Sequence, residues 1–301
     1  MLEQILEILD FSKINIADMM TEIILGIVFV VVIGLLIVNI RDVSRFVLRE
    51  YYFCASELTK NAKILLITDM HNKQFGRNNQ ALWNTIDLIA PDMILVAGDM
   101  ITTGKYDNTP AVDFLRLLSS KYPVYYGNGN HETRMTLQAE QYAPMADEYE
   151  QELSELPVKR LRNEQIYIPH LNLNMIGLDL EWAYYKRFKK KELPANYLSE
   201  MLGSPKNDAV NLLIAHNPEF FKDYAAWGAD LVAAGHMHGG IVRLPLLGGV
   251  ISPRYKLFPK YDGGLYTEGK STMIISRGLG SHVLPLRLFN PGELVVIHMR
   301  H

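Results

Sequence analysis

Five short clusters hold most of the residues in this chain that could do chemistry: Asp69-Met70-His71, Gly98-Asp99, Gly129-Asn130-His131-Glu132, His216-Asn217 and Gly235-His236-Met237-His238. Five of the nine histidines fall inside them. With Asp69, Asp99 and Asn130 they offer oxygen and imidazole donors and no thiolate, a set that suits Mn²⁺, Fe or Zn²⁺ rather than Ca²⁺ or a structural zinc. Any one cluster has an ordinary explanation, because Asp and Asn after a strand are common turn formers. All five together do not. Seven donors (Asp69, His71, Asp99, Asn130, His216, His236 and His238) exceed what one ion accepts while leaving room for water. Two divalent metals sharing a carboxylate is the economical solution. Such a pair, ~3.5–4 Å apart, clamps the attacking and leaving oxygens of an in-line displacement at phosphorus.

Each cluster follows a run with the length and apolarity of a buried strand: 64–68, 93–97, 124–126, 210–215 and 231–234. Amphipathic helices lie between. Residues 78–90 set Leu82, Ile86 and Ile89 on one face before Pro91 ends the run. Another helix starts at Thr109-Pro110, with Thr109 as N-cap, and a third is opened by Asn217-Pro218 and closed by Gly228. This β-α alternation predicts an α/β domain. Ligands bind outside the carboxyl ends of strands in such sheets, so the five clusters belong in one crevice. After Gly240 the chain turns to Gly, Pro and short β runs, which predicts further strands and a second sheet.

In order and with no ligand replaced, the clusters resemble the signature of the calcineurin-like metallophosphoesterases: D-x-H, G-D, G-N-H-[DE], a lone His and G-H-x-H. The resemblance covers Lys63 to the end. It implies two mixed β-sheets packed as a sandwich flanked by helices, in a catalytic domain over 61–301. It implies that Asp69, His71 and His238 hold one metal and Asn130, His216 and His236 the other, with Asp99 bridging and a water between the ions as nucleophile. His131 would face the leaving oxygen, stabilising the phosphoryl group or protonating the leaving group, with Glu132 or a neighbouring carboxylate orienting its ring. The tail around 263–266, 276–280 and 285–287 looks like the bacterial membrane-associated branch, which includes enzymes of lipid-linked pyrophosphates. The implied reaction is metal-dependent hydrolysis of phosphate esters, phosphodiesters or pyrophosphates, lipid-linked ones among them. The alternatives are a nuclease or cyclic-nucleotide phosphodiesterase on the same core, or a regulatory protein with weakened chemistry. The last predicts a lost ligand, and none is lost.

Outside the clusters the signals are thinner. Arg243, Arg254, Arg277 and Arg287 could clamp a second phosphate or be plain surface charges. Residues 181–191 (EWAYYKRFKKK) join Trp182, Tyr184 and Tyr185 to five basic residues, which suits anionic headgroups as well as a solvated face. Residues 23–40 form 18 positions with only Asn39 polar, long enough to cross a bilayer. Five acidic residues and one Lys precede this run, and no small-x-small cleavage pattern follows it, so an uncleaved single-pass anchor is expected. Arg41, Arg45 and Arg49 follow, against Lys13 before, which favours a cytoplasmic C-terminal domain. The chain then divides into an acidic segment (1–22), the anchor (23–40), a juxtamembrane linker (41–60) and the catalytic domain. Residues 43–53 read equally as an interfacial helix or a strand entering that domain. The balance of 30 basic and 33 acidic residues argues against a nucleic-acid partner, and a single cysteine excludes an intrachain disulfide.

Overall fold

The computed structural model describes residues 16–104, 107–186, 191–244, 246–252, 256–281 and 285–301. Most of the acidic N-terminal segment, the middle of the 181–191 run and Arg254 lie outside them.

The apolar run forms α1 (Ile16–Ser44), which extends past the expected span at both ends. No part of its most apolar stretch is covered by the rest of the chain. It leads directly into β1 (Phe46–Cys54), so of the two readings for 43–53 the strand is the one adopted. Its aromatic and β-branched sequence, FVLREYYFC, suits a strand that is half buried. It pairs in parallel with β14 (Gly292–Arg300), from Phe46 opposite Gly292 to Cys54 opposite Arg300. Part of the linker expected over 41–60 is therefore sheet, laid down before position 61.

The first sheet runs β1-β14 and then β2 (Ala62–Ile67), β3 (Met93–Ala97), β4 (Val124–Gly127) and β5 (Val158–Leu161). All neighbours are parallel except β14 with β2. In the second sheet, parallel β7 (Leu173–Leu178), β8 (Val210–Ala215), β9 (Leu231–Ala234) and β13 (Ser271–Ile275) are flanked by antiparallel β6 (Glu164–Ile168) and β12 (Gly264–Glu268). Period-two alternation builds the layers. Ile64, Leu66, Leu95, Val295 and Ile297 point at Met175, Leu212, Ile214, Leu231 and Ile274, forming the seam between the sheets. Leu65, Ile67, Ile94 and Val96 point outward to α2 (Gln80–Ile89), α3 (Thr109–Ser119) and α5 (Ala139–Ser154). Ile176, Leu213 and Val232 pack under α6 (Tyr197–Leu202) and α7 (Phe221–Trp227). The result is the expected sandwich of two mixed sheets flanked by helices, with a short antiparallel pair, β10 (Arg243–Leu244) and β11 (Gly248–Gly249), apart from both sheets.

Two helix starts differ from the sequence reading. Thr109 is the first residue of α3, with Asn108 at the cap and no side-chain capping bond. The helix expected from 78 starts at Gln80, because Asn78 and Asn79 take left-handed backbone (φ 53° and 59°), which Asn tolerates better than most residues.

Candidate metal centre

The parallel strands deliver the clusters to one rim. Asp69 and His71 follow β2, Asp99 follows β3, and Asn130 and His131 open α4 (Asn130–Leu137) just past β4. From the other sheet, His216 follows β8, and His236 and His238 follow β9. All eight are buried. His238 Nε2 lies 3.2 Å from Asp69 Oδ1, His216 Nε2 lies 3.2 Å from Asp99 Oδ2, and His71 Nε2 lies 3.2 Å from His238 Nε2. Three donor groups form: Asp69 with His71 and His238, Asp99 with His216 and His236, and His71 with Asp99 and His131, each with its ligand atoms within 4.8 Å of one another.

The rim holds this arrangement under backbone strain. Asp69, His71, Asp99, His236 and His238 have φ between 49° and 70°, the left-handed region that side chains with a Cβ seldom occupy. Such residues cost on the order of 1–3 kcal/mol each and persist where the surroundings over-determine them. Glu132 does much of that work at the Asp99 turn. Its carboxylate accepts from the backbone N–H groups of Asp99, Met100 and Gly129, each at 2.9 Å, and from Tyr126 Oη at 2.8 Å. Gly129 is required here by close approach: a Cβ would overlap the Asp99 carboxylate and backbone nitrogen.

Hydrogen-bond partners fix the tautomers. Nδ1 of His71 faces the Ile101 carbonyl at 3.2 Å, that of His216 the Ala97 carbonyl at 2.6 Å, and that of His238 the Gly280 carbonyl at 3.3 Å. A carbonyl only accepts, so each Nδ1 carries its hydrogen and each neutral ring presents a lone pair at Nε2. This orientation of a ligating imidazole by a backbone carbonyl is usual at metal sites. The lone pairs of His71 and His238 then meet at 3.2 Å, which is repulsive unless a cation or a proton lies between them. Asn130 Oδ1 is also buried without a hydrogen-bond partner among the described residues. The donor set fits a pair of divalent ions. Burial raises the Asp69 and Asp99 carboxyls, Asp99 to about 7 even with His216 opposing the rise. Burial works against protonating His216, but Asp99 and Asp69 outweigh it and raise the ring to about 10. The metal-free chain thus holds protons where ions would sit.

His131 is set the opposite way. The Thr103 backbone N–H donates to its Nδ1 at 2.8 Å, so Nδ1 accepts and the hydrogen resides on Nε2. That makes the neutral ring a hydrogen-bond donor and a poor ligand at Nε2. The Glu132 carboxylate, expected to orient this ring, is spent on the Asp99 turn, and Thr103 orients the ring instead.

A family model, calcineurin-like phosphoesterase, matches residues 62–240, more than half of the sequence. The chain belongs to that family. An uncharacterized metallophosphoesterase of Campylobacter jejuni is 27% identical over 81% of this chain, which spans 60% of that protein's length. Phosphodiesterase YaeI of Escherichia coli is 27% identical over 79% of this chain and 82% of its own. The UDP-2,3-diacylglucosamine pyrophosphatase LpxG of Chlamydia muridarum is 23% identical over 78% and 82%.

Around the eight residues, this calcineurin-like phosphoesterase departs from the sequence reading in two respects. Arg287 is no phosphate clamp: its buried guanidinium donates to the carbonyls of Arg277, Gly278, Gly280 and Asn290, and burial lowers its pKa to about 10. Arg277 pairs with Glu293 at 3.1 Å and Arg243 with Asp262 at 2.9 Å. Tyr185, which the sequence offered only as part of a headgroup-binding run, is buried with its ring 5.4 Å from His236 and 6.3 Å from His216. Nothing in EWAYYKRFKKK marks Tyr185 apart from its neighbour Tyr184. Thr103 carries no motif at all.

Proposed function

We propose that this chain is a membrane-anchored dimetal phosphoesterase that hydrolyses phosphate esters, phosphodiesters or pyrophosphates, with lipid-linked substrates within its range. Asp69, His71 and His238 would hold one ion of the Mn²⁺, Fe or Zn²⁺ kind, Asn130, His216 and His236 the other, and Asp99 both. When bound, such ions lower the pKa of water and polarise phosphoryl oxygens. The chain's own groups do the rest. Glu132 holds the Asp99 turn, and Ala97, Ile101 and Gly280 hold three imidazoles with Nε2 inward. His131, whose Nδ1 accepts from the Thr103 N–H, donates a hydrogen bond from Nε2 to a phosphoryl oxygen as charge develops there. Of the two roles open to His131, this tautomer supports stabilisation over proton donation, since a neutral imidazole N–H is a very weak acid. The observation that carries the reading is the convergence of the Nε2 atoms of His71, His216 and His238 on two buried carboxylates, a set of donors that divalent ions would satisfy.

α1 would supply the anchor, and Arg41, Arg45 and Arg49 behind it favour a cytoplasmic catalytic domain. The relative named for a diacylglucosamine pyrophosphatase supports a lipid-linked substrate. The test is the full chain in detergent, assayed on bis-p-nitrophenyl phosphate with its metal content measured. Asp99→Ala is expected to abolish turnover and to empty both positions. Full metal content with full turnover in that variant overturns the assignment.

A further inference from the structure

Three loops beside the candidate centre expose large apolar side chains together. Leu246 is fully exposed and Leu247, Leu257 and Phe258 are more than half exposed, with Leu286 and Phe289 somewhat less so. The loops are bonded into one body. Arg243 N donates to Leu288 O at 3.0 Å, and Phe258 N donates to Val250 O at 2.9 Å. Leu246, Leu247 and Phe289 line a groove of about 560 Å³ together with Arg243, Lys260 and Arg277. Leu246, Phe258 and Phe289 also carry positive φ (68°, 46° and 56°). An apolar side chain held in strained backbone and left in water gains nothing from either.

The same body is tied to the end of α1. Asn39 donates from Nδ2 to Pro285 O at 3.1 Å and accepts from Arg287 N at 2.8 Å, bracketing Leu286. Asp42 accepts from Asn290 N at 2.9 Å, next to Phe289. At 1.5 Å per residue, positions 23–40 rise about 27 Å, close to the thickness of a hydrocarbon core. Residues level with Asn39 therefore sit where that core gives way to headgroups.

We propose that this apolar lip is a second membrane contact, seated in the anionic headgroup layer of the bilayer that α1 spans; the proposal rests on the reading of α1 as an anchor. Leucine and phenylalanine tips around a groove that carries Arg243, Lys260 and Arg277 against one carboxylate, Asp262, have the composition of an interfacial surface, apolar at the tips and net basic between them. Seating the lip also fixes the catalytic rim. Arg243 donates to Gly239 O at 3.1 Å, one residue from His238, and Asn290 Nδ2 donates to His238 O at 2.7 Å. The groove then opens among headgroups, and a phosphate borne by a lipid reaches it by lateral diffusion.

The test uses the full chain in vesicles of phosphatidylcholine and phosphatidylglycerol, with Cys54→Ser removing its one cysteine. An environment-sensitive fluorophore is placed in turn at Leu247→Cys, Phe289→Cys, Leu36→Cys on α1, and Leu88→Cys. Leu88 is 87% exposed near the end of α2, which returns the chain to the opposite rim. The labels at 247 and 289 are expected to shift to the blue and to be quenched by brominated lipid, as the label at 36 is, while the label at 88 is not. Quenching at 36 alone overturns the lip and leaves the anchor standing. Absence of quenching at 36 overturns the anchor, and the lip with it. A blue shift at 247 and 289 that brominated lipid does not quench means that a second copy of the chain covers the patch, and this also overturns the proposal.

Discussion

His131 and the ligand histidines are the same residue type in opposite tautomers, and the difference lies in what faces Nδ1. Where a carbonyl faces it, Nε2 is a lone pair; where the Thr103 N–H faces it, Nε2 is a donor. His131→Asn should therefore keep both metals and lower turnover by about 10²–10³-fold, the usual effect of removing one preorganised donor. The loss should be equal for nitrophenyl and for alkyl esters, because a hydrogen bond to the phosphoryl group acts whatever the leaving group. A loss confined to alkyl esters would reassign His131 to proton donation. The buried acids lead to a second expectation. Without metal, Asp99 is held up near 7 and His216 near 10, so ions must displace protons from the centre. Those protons are bound more fully as pH falls, so apparent metal affinity should drop from about pH 8 to pH 6, roughly tenfold per pH unit for each proton displaced. Calorimetry in buffers of different ionisation enthalpy measures the released protons, and an affinity flat over that range would refute the expectation.

At the scale of elements, the Asp99 turn and the start of α4 interlock. Gly129→Ala places a methyl against Asp99, and with backbone on both sides neither partner can give way. The expected cost is about 1–3 kcal/mol of stability, read by thermal unfolding, with near-complete loss of turnover. An active, equally stable Gly129→Ala protein would mean that the turn is looser than its Glu132 clamp indicates. The G-N-H-E string revealed a glycine before the ligand, but the sequence did not distinguish a glycine needed for positive φ from one needed for contact. Gly98, with φ +85°, is both kinds, since a Cβ there would also run into the Gly129 backbone, while Gly129, with φ −100°, is needed for contact alone. The role of Glu132 was equally hidden, since its partners at 99 and 100 are some thirty residues away in the chain.

For the molecule as a whole, β1 decides where the soluble part begins. A chain starting at Lys60 keeps every candidate ligand but strips β1 from β14, leaving a long strand as an unpaired edge. With each ladder bond contributing a net ~0.5–1.5 kcal/mol, losing nine residues of pairing consumes much of a typical 5–15 kcal/mol of stability. A chain starting at Arg41 retains β1 and Asp42. It should remain soluble and hydrolyse bis-p-nitrophenyl phosphate, while the Lys60 start should aggregate or melt well below it. Equal melting temperatures would show β1 to be dispensable. The full chain should stay with membranes through carbonate extraction, because an apolar segment of this length inserts far more firmly than a peripheral helix.

The sequence by itself determined the strand-helix alternation, the five clusters, their order and the apolar helix, because each is local: a run of one period, a donor type beside a glycine, a length set against a bilayer. It also carried the expected ligand set, since parallel strands with a common direction must deliver their carboxyl ends to one rim. What only the tertiary structure decided depends on contacts far apart in the chain. Thr103 against His131, Tyr185 against His236, Arg287 spent on carbonyls, and β1 beside β14 across some 250 residues leave no periodic or motif trace. A backbone donor or carbonyl is the same in every residue, so which one faces an imidazole is settled by packing.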